Sequence, residues 1–142
     1  MKTEIKHNWH YDQSVEEIWE YLTKAELMEK WLMPNDFELI VGHEFKFTTN
    51  PIPSLSLDGN FYCKVLEILP LKKLVYSWKG GANKSEPTLD TIVEWTLEAK
   101  ENGTELRLIH SGFKEENGPI HAGMFDGWNK NIQKMLSHIK PN

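Results

Sequence analysis

Hydrophobic positions change their spacing twice along this chain, dividing it into a helical beginning, a strand-rich middle and a helical end. Ile5, His7, Trp9 and Tyr11 alternate with polar residues, which predicts a strand over residues 5–11 closed by Asp12 and Gln13. Ser14 stands three residues before Glu17, the spacing of a capping box. Val15, Ile18, Trp19 and Leu22 then recur at helical intervals, so a short helix is expected over residues 15–22. Thr23 and Glu26 repeat the box ahead of Leu27, Met28, Trp31 and Leu32, predicting a second short helix that Pro34 stops.

Between residues 36 and 111 the period falls to two and the breakers become turn residues. Six strands are predicted there, over residues 36–41, 44–49, 56–69, 73–79, 88–100 and 104–110, punctuated by Gly42, Asp58-Gly59, Pro70, Gly80-Gly81 and Asn102-Gly103. Asn102-Gly103 carries the strongest hairpin signal, since both residues tolerate positive φ. Beyond Phe113 a polar stretch leads into the longest helical pattern, with His121, Met124, Phe125, Trp128, Ile132, Met135, Leu136 and Ile139 on one stripe. A helix with so broad an apolar face needs a sheet to cover it. The predicted class is therefore α+β, a curved antiparallel sheet of six or seven strands around a long C-terminal helix.

Composition narrows the role. A length of 142 residues, 39% of them hydrophobic, suits one domain over 1–142 with a real core. The net charge of -5 and the lack of a clustered basic face argue against nucleic acid as a partner. The single cysteine, Cys63, rules out an internal disulfide, and the start shows no apolar signal segment, so a cytoplasmic location is expected. No run approaches the ~18 apolar residues of a membrane span. A monomer or weak homodimer is expected, the latter through a free sheet edge or helix end.

Alternation puts Tyr76 with Trp78, Val93 with Trp95 and Leu97, and Leu106 with Leu108 and His110 on shared faces. Turned towards the helix stripe, these faces enclose an aromatic interior with few polar atoms, the usual pocket for an apolar small molecule. The candidate ligand-binding residues are Tyr76, Trp78, Trp95, His110, His121, Met124, Phe125 and Trp128, and the alternative is that they simply fill the core. His110 is the polar residue of most interest, as donor, acceptor or base, against the ordinary reading of a satisfied core histidine. His121 is expected to face it across the cavity entrance.

Two histidines fall short of a metal ligand set, and His7 and His10 lie on opposite strand faces, so no metal is assigned. Asp126 reads as a solvated carboxylate, Cys63 as packing, and Gly127 as a position where the helix approaches the sheet closely. No nucleophile elbow, phosphate loop or dinucleotide fingerprint occurs, so no catalytic residue and no cofactor is assigned.

Several motifs run in a familiar order. They are Val15-x-x-Ile18-Trp19, Leu22-Thr23 with Trp31 downstream, Gly42-x-x-Phe45, and the run from Pro70 through Leu74-Val75-Tyr76-Ser77-Trp78. Gly103-Thr104-x-Leu106-x-Leu108-x-His110-x-Gly112-Phe113 and Gly127-Trp128 complete the set. Across nearly its full length the chain resembles the Hsp90-activator-like family of the START/Bet v 1-like superfamily. The resemblance implies a helix-grip fold with a cavity between sheet and long helix. It also implies two other roles. Superfamily relatives include cyclases and hydrolases of polycyclic compounds, a polyketide cyclase type of enzyme in which His110 would be acid or base. The family name comes from a co-chaperone that stimulates the Hsp90 ATPase, so a chaperone of the Hsp90 class is an alternative partner, a minor one because that co-chaperone has a further N-terminal domain and this chain begins almost at its first strand. Binding of an apolar or aromatic small molecule is the leading expectation.

Overall fold

The computed structural model describes residues 3–139. The chain forms β1 (Glu4–Tyr11), α1 (Val15–Thr23), α2 (Ala25–Trp31), β2 (Glu44–Thr48), β3 (Asn60–Leu69), β4 (Lys73–Gly81), β5 (Pro87–Lys100), β6 (Gly103–Ser111) and α3 (Gly118–His138). Single 3-10 turns at Pro53–Leu55 and Glu115–Asn117 precede β3 and α3. The strands make one antiparallel sheet in the order β1-β6-β5-β4-β3-β2. The chain leaves β1, crosses through α1 and α2 to the far edge at β2, and meanders back until β6 lies beside β1. This is the helix-grip fold. Among the described residues, no helix is long and apolar enough to cross a membrane.

Each element follows from one-sided burial. In β1, Ile5 and Tyr11 are buried while Glu4, Lys6, Asn8 and His10 are exposed. In β5 and β6, Leu89, Val93, Trp95, Leu97, Leu106, Leu108 and His110 all point inward. Ser14 caps α1, its Oγ accepting from the Glu17 N–H at 3.3 Å, and Ile18, Trp19 and Leu22 are buried beneath. A bulge between Val65 and Glu67 breaks the register of β3 against β4, bending the sheet where it must curve around α3.

Four predictions need correction. Residues 36–41 are not a strand, so the sheet has six strands and not seven. Polar side chains there take the backbone bonds a ladder would use: the Phe37 N–H donates to Asn35 Oδ1, and Asp36 Oδ1 accepts from the Lys46 N–H at 2.8 Å. With the Thr48 N–H donating to the Pro34 carbonyl, this segment covers the outer edge of β2. The strand predicted from residue 56 starts at Asn60, because Ser56 at φ 56° and Gly59 at φ 95° are turned into the left-handed region.

Thr23 does not cap α2. It ends α1, its hydroxyl donating back to the Trp19 carbonyl at 2.7 Å, and Lys24 takes the cap position with no side-chain bond. The β5–β6 hairpin forms, but Lys100 pairs with Gly103, so Glu101 and Asn102 are the loop. Gly103 instead opens β6 at φ 138°, where a β-carbon would collide with the Tyr11 carbonyl.

Candidate functional site

The inward faces of β4, β5 and β6 meet α3 in a cluster of large rings. Trp128 of α3 lies 5.5 Å from Trp78 and 5.4 Å from Trp95, inclined at 62° and 87°. Phe47 and Phe61 pack on Trp78 at 5.0 and 4.9 Å. The Trp95 indole N–H donates to the Tyr76 hydroxyl at 3.0 Å. Burial pushes the Tyr76 phenol far up, so it stays neutral.

Behind Trp128 runs a chain of hydrogen bonds whose directions follow from its ends. The Trp128 indole can only donate, so His110 Nδ1 accepts from it, at 3.1 Å. The imidazole is then protonated on Nε2 and donates to Thr91 Oγ1 at 2.7 Å. The Thr91 hydroxyl in turn donates to the Trp78 carbonyl at 2.7 Å. Both ring nitrogens are committed. Burial first, and the nearby His121 second, lower the His110 pKa from 6.5 to about 3, so it is held neutral. His110 therefore ties β4, β5, β6 and α3 together with no lone pair left for a substrate.

His121 does not face His110 across an opening. The Phe113 ring touches both, 4.7 Å from His110 and 4.9 Å from His121, and His121 Nε2 donates to the Glu4 carbonyl at 3.0 Å. Phe125 lies off the buried stripe. It is 43% exposed, packs on the His7 ring at 4.5 Å, and its carbonyl accepts from His7 Nε2. The reason is rotational: with Trp128, Ile132 and Met135 inward, Phe125 and the 48% exposed Leu136 fall to the sides of the helix. Cys63 is buried, which raises its thiol pKa well above the ordinary value, and Asp126 pairs on the surface with Lys130 at 2.9 Å. Among the described residues, no three His, Cys, Asp or Glu side chains converge on a point that could hold a metal ion.

An opening of about 410 Å³ lies between α3 and the β2–β3 end of the sheet. It is lined by Leu32, Met33, Thr49, Ile52, Phe61, Trp78, Gly123, Met124, Gly127, Trp128 and Asn131. Of the eight residues singled out in the sequence, Trp78, Met124 and Trp128 line it, whereas Tyr76, Trp95, His110, His121 and Phe125 do not. A second depression, about 420 Å³ on the outer face of β2–β4, is walled by Lys46, Lys64, Lys79, Lys84, Asp36 and Glu44 together with Phe45, Tyr62, Cys63 and Ser77.

Two features of the first cavity bear on what it can do. A β-carbon on Gly123 or Gly127 would meet nothing within 4 Å. Gly127 therefore does not serve a close helix–sheet approach, as its neighbour Trp128 suggested; both glycines leave space on the cavity side of α3. Trp78 is 1% exposed, and its indole N–H has no acceptor among the described residues. The wall residues from the α2–β2 loop and the β2–β3 connection escaped the sequence reading, although a Gly-x-x-x-Gly spacing inside a helix, costly for helix formation, was visible.

Comparison with known proteins bears on the whole chain. The family described as "Activator of Hsp90 ATPase homolog 1-like protein" matches residues 12–140. A crystal structure of a Mesorhizobium loti protein is 30% identical, covers 94% of each chain and has a TM-score of 0.84. The solution structure of a Bacillus halodurans protein is 23% identical over 98% of both chains, with a TM-score of 0.77. The solution structure of the Aha1 dimer from Colwellia psychrerythraea is 24% identical, covers 96% of this chain and 95% of that one, and has a TM-score of 0.77. No curated protein matches.

Proposed function

The chain belongs to the activator of Hsp90 ATPase homolog 1-like family, and from that premise we propose that it binds an apolar small molecule between α3 and the open end of the sheet. The observation that carries this reading is the pair Gly123 and Gly127. Each glycine costs a helix interior about 0.8–1.0 kcal/mol relative to alanine. No packing contact repays that cost here, since a β-carbon at either would meet nothing within 4 Å. What the two positions supply is room, in a cavity of about 410 Å³ whose walls are Leu32, Met33, Ile52, Phe61, Trp78, Met124 and Trp128. That volume falls within the roughly 300–1,000 Å³ of ordinary small-molecule sites. Binding proceeds by desolvation of the ligand against these walls, with sparse polar contacts fixing its orientation.

The bonding of His110 favours binding over the enzymatic alternative. Its two nitrogens are occupied and its pKa is lowered to about 3, so it is a poor general acid or base near neutrality. A chaperone partner of the Hsp90 class rests on the family name alone. The test is uptake of aminoanthracene, a small neutral fluorophore, by the protein and by its Gly127→Leu variant. The proposal expects saturable fluorescence enhancement in the unaltered protein and its loss in a variant that is at least as resistant to heat. Undiminished binding by Gly127→Leu would overturn it.

A further inference from the structure

We infer a second site, on the outer face of the sheet, that binds a compact oxyanion carrying several negative charges. It shares no lining residue with the cavity beside α3. Among the cationic residues of the strands, Lys6, Lys73, Lys100 and Arg107 each have a carboxylate partner. Lys46, Lys64 and Lys79 have none among the described residues, and all three line the depression of about 420 Å³ on β2–β4. Lys84, from the β4–β5 connection and likewise unpaired, lines it too. All four are exposed, so an incoming anion reaches them directly.

Strand register brings them together. Tyr62 pairs with Lys46 on one side and with Lys79 on the other, and Lys64 pairs with Glu44 and Ser77. Phe45, Phe47, Phe61, Cys63 and Trp78 alternate with these residues and are buried, so the lysines project from the opposite face. Lys46 and Lys79 stand two strand spacings apart, about 10 Å, and Lys64 lies diagonal to both at about 7–8 Å. Lysine stems are long enough for the three ammonium groups to converge on one anion held between them. Tyr62 stands in the middle, its hydroxyl donating to Asp58 Oδ2 at 2.8 Å, which fixes the ring. Like charges grouped on a sheet face repel one another, and a bound anion relieves that repulsion.

The donor chemistry narrows the ligand. Lysine presents a point charge and not a planar fork, and the chain's single arginine, Arg107, is bound to Glu98 and Glu105 on β5 and β6. Selection is therefore by number of charges more than by shape, with the Ser77 hydroxyl as an added donor. Asp36 and Glu44 share the wall, and the chain carries a net charge of -5, so a long polyanion is repelled beyond the four lysines. The volume of about 420 Å³ falls within the roughly 300–1,000 Å³ of small-molecule sites. A free phosphorylated or polycarboxylate small molecule meets these conditions.

Calorimetric titration at low salt with pyrophosphate, phosphate and acetate tests this. Affinity should fall in that order, and that for pyrophosphate should fall further as sodium chloride is raised. Lys64→Gln with Lys79→Gln should weaken pyrophosphate binding about 3- to 20-fold. Lys30→Gln with Lys134→Gln removes the same charge from α2 and α3 and should leave it unchanged. Glu44→Gln should tighten it, because a negative charge opposite Lys64 is lost. Absence of pyrophosphate binding, equal binding of acetate, or an equal loss in both lysine double variants overturns the inference. Stronger binding to vesicles of phosphatidylserine and phosphatidylcholine than to pyrophosphate would assign the patch to a lipid surface and overturn a small-molecule site.

Discussion

Replacing Gly123 and Gly127 by alanine should make the protein more stable and a worse binder. Both positions lie inside α3 (Gly118–His138), and the added β-carbon meets nothing within 4 Å at either. Steric cost is therefore absent, and what is left is the difference in helix propensity, about 0.8–1.0 kcal/mol per site, largely from restricting the unfolded chain. The double variant should gain about 2 kcal/mol. For a chain of 142 residues, a gain of that size raises Tm by roughly 6–8 °C. Urea titration followed by far-ultraviolet circular dichroism gives the free energy, and calorimetry the Tm. Aminoanthracene titration of the same samples should show weaker binding, because both positions line the cavity. A double variant that is less stable than the original refutes the reasoning, since it would mean that the glycines serve a tight contact.

Other outcomes follow from the polar atoms of the core. Tyr76→Phe removes the acceptor of the Trp95 N–H, so it should cost about 1–3 kcal/mol in urea titration while probe affinity stays unchanged, as Tyr76 does not line the cavity. Thr91→Val leaves His110 Nε2–H and the Trp78 carbonyl unpaired and should cost a similar ~1–3 kcal/mol, which Thr91→Ser restores. The folded-state pKa of His110 lies near 3, below its ordinary 6.5. Protonation therefore favours the unfolded chain, and the stabilisation is complete above pH 6.5 and drains away as the pH falls towards 3. The difference in unfolding free energy between the protein and His110→Gln should fall by up to ~1.4 kcal/mol per pH unit over that window; a flat difference contradicts the assignment.

Much of the architecture was legible because burial is one-sided. Alternation in β1, β5 and β6 reports which residues face α3, and the Ser14–Glu17 pair marks a real cap. Residues 36–41 misled because Phe37, Leu39 and Val41 sit at strand spacing; Leu39, Ile40 and Val41 are nevertheless exposed, and Asn35 and Asp36 divert the neighbouring backbone bonds into turns. The aromatic cluster was also legible, since Tyr76, Trp78, Trp95, His110 and Trp128 do converge. Which of them touch the cavity was not. That depends on the curvature introduced by the β3 bulge and on loop residues such as Met33, Thr49 and Ile52, which approach α3 only in three dimensions. Hydrogen-bond satisfaction separates the rest: the histidine with the most chemical promise in the sequence is fully bonded, and among the described residues the buried side-chain atoms without a partner are Gln13 Oε1 and the Trp78 indole nitrogen.

The most direct test of the central claim is an intermolecular nuclear Overhauser measurement on the complex with aminoanthracene, using methyl-labelled protein. The account predicts contacts from the fluorophore to the methyl groups of Leu32, Met33, Ile52 and Met124, which line the cavity. Contacts confined to Leu39, Ile40 and Val41 on the outer surface, or to Leu136 on the far side of α3, would place the probe elsewhere and contradict a ligand site between helix and sheet.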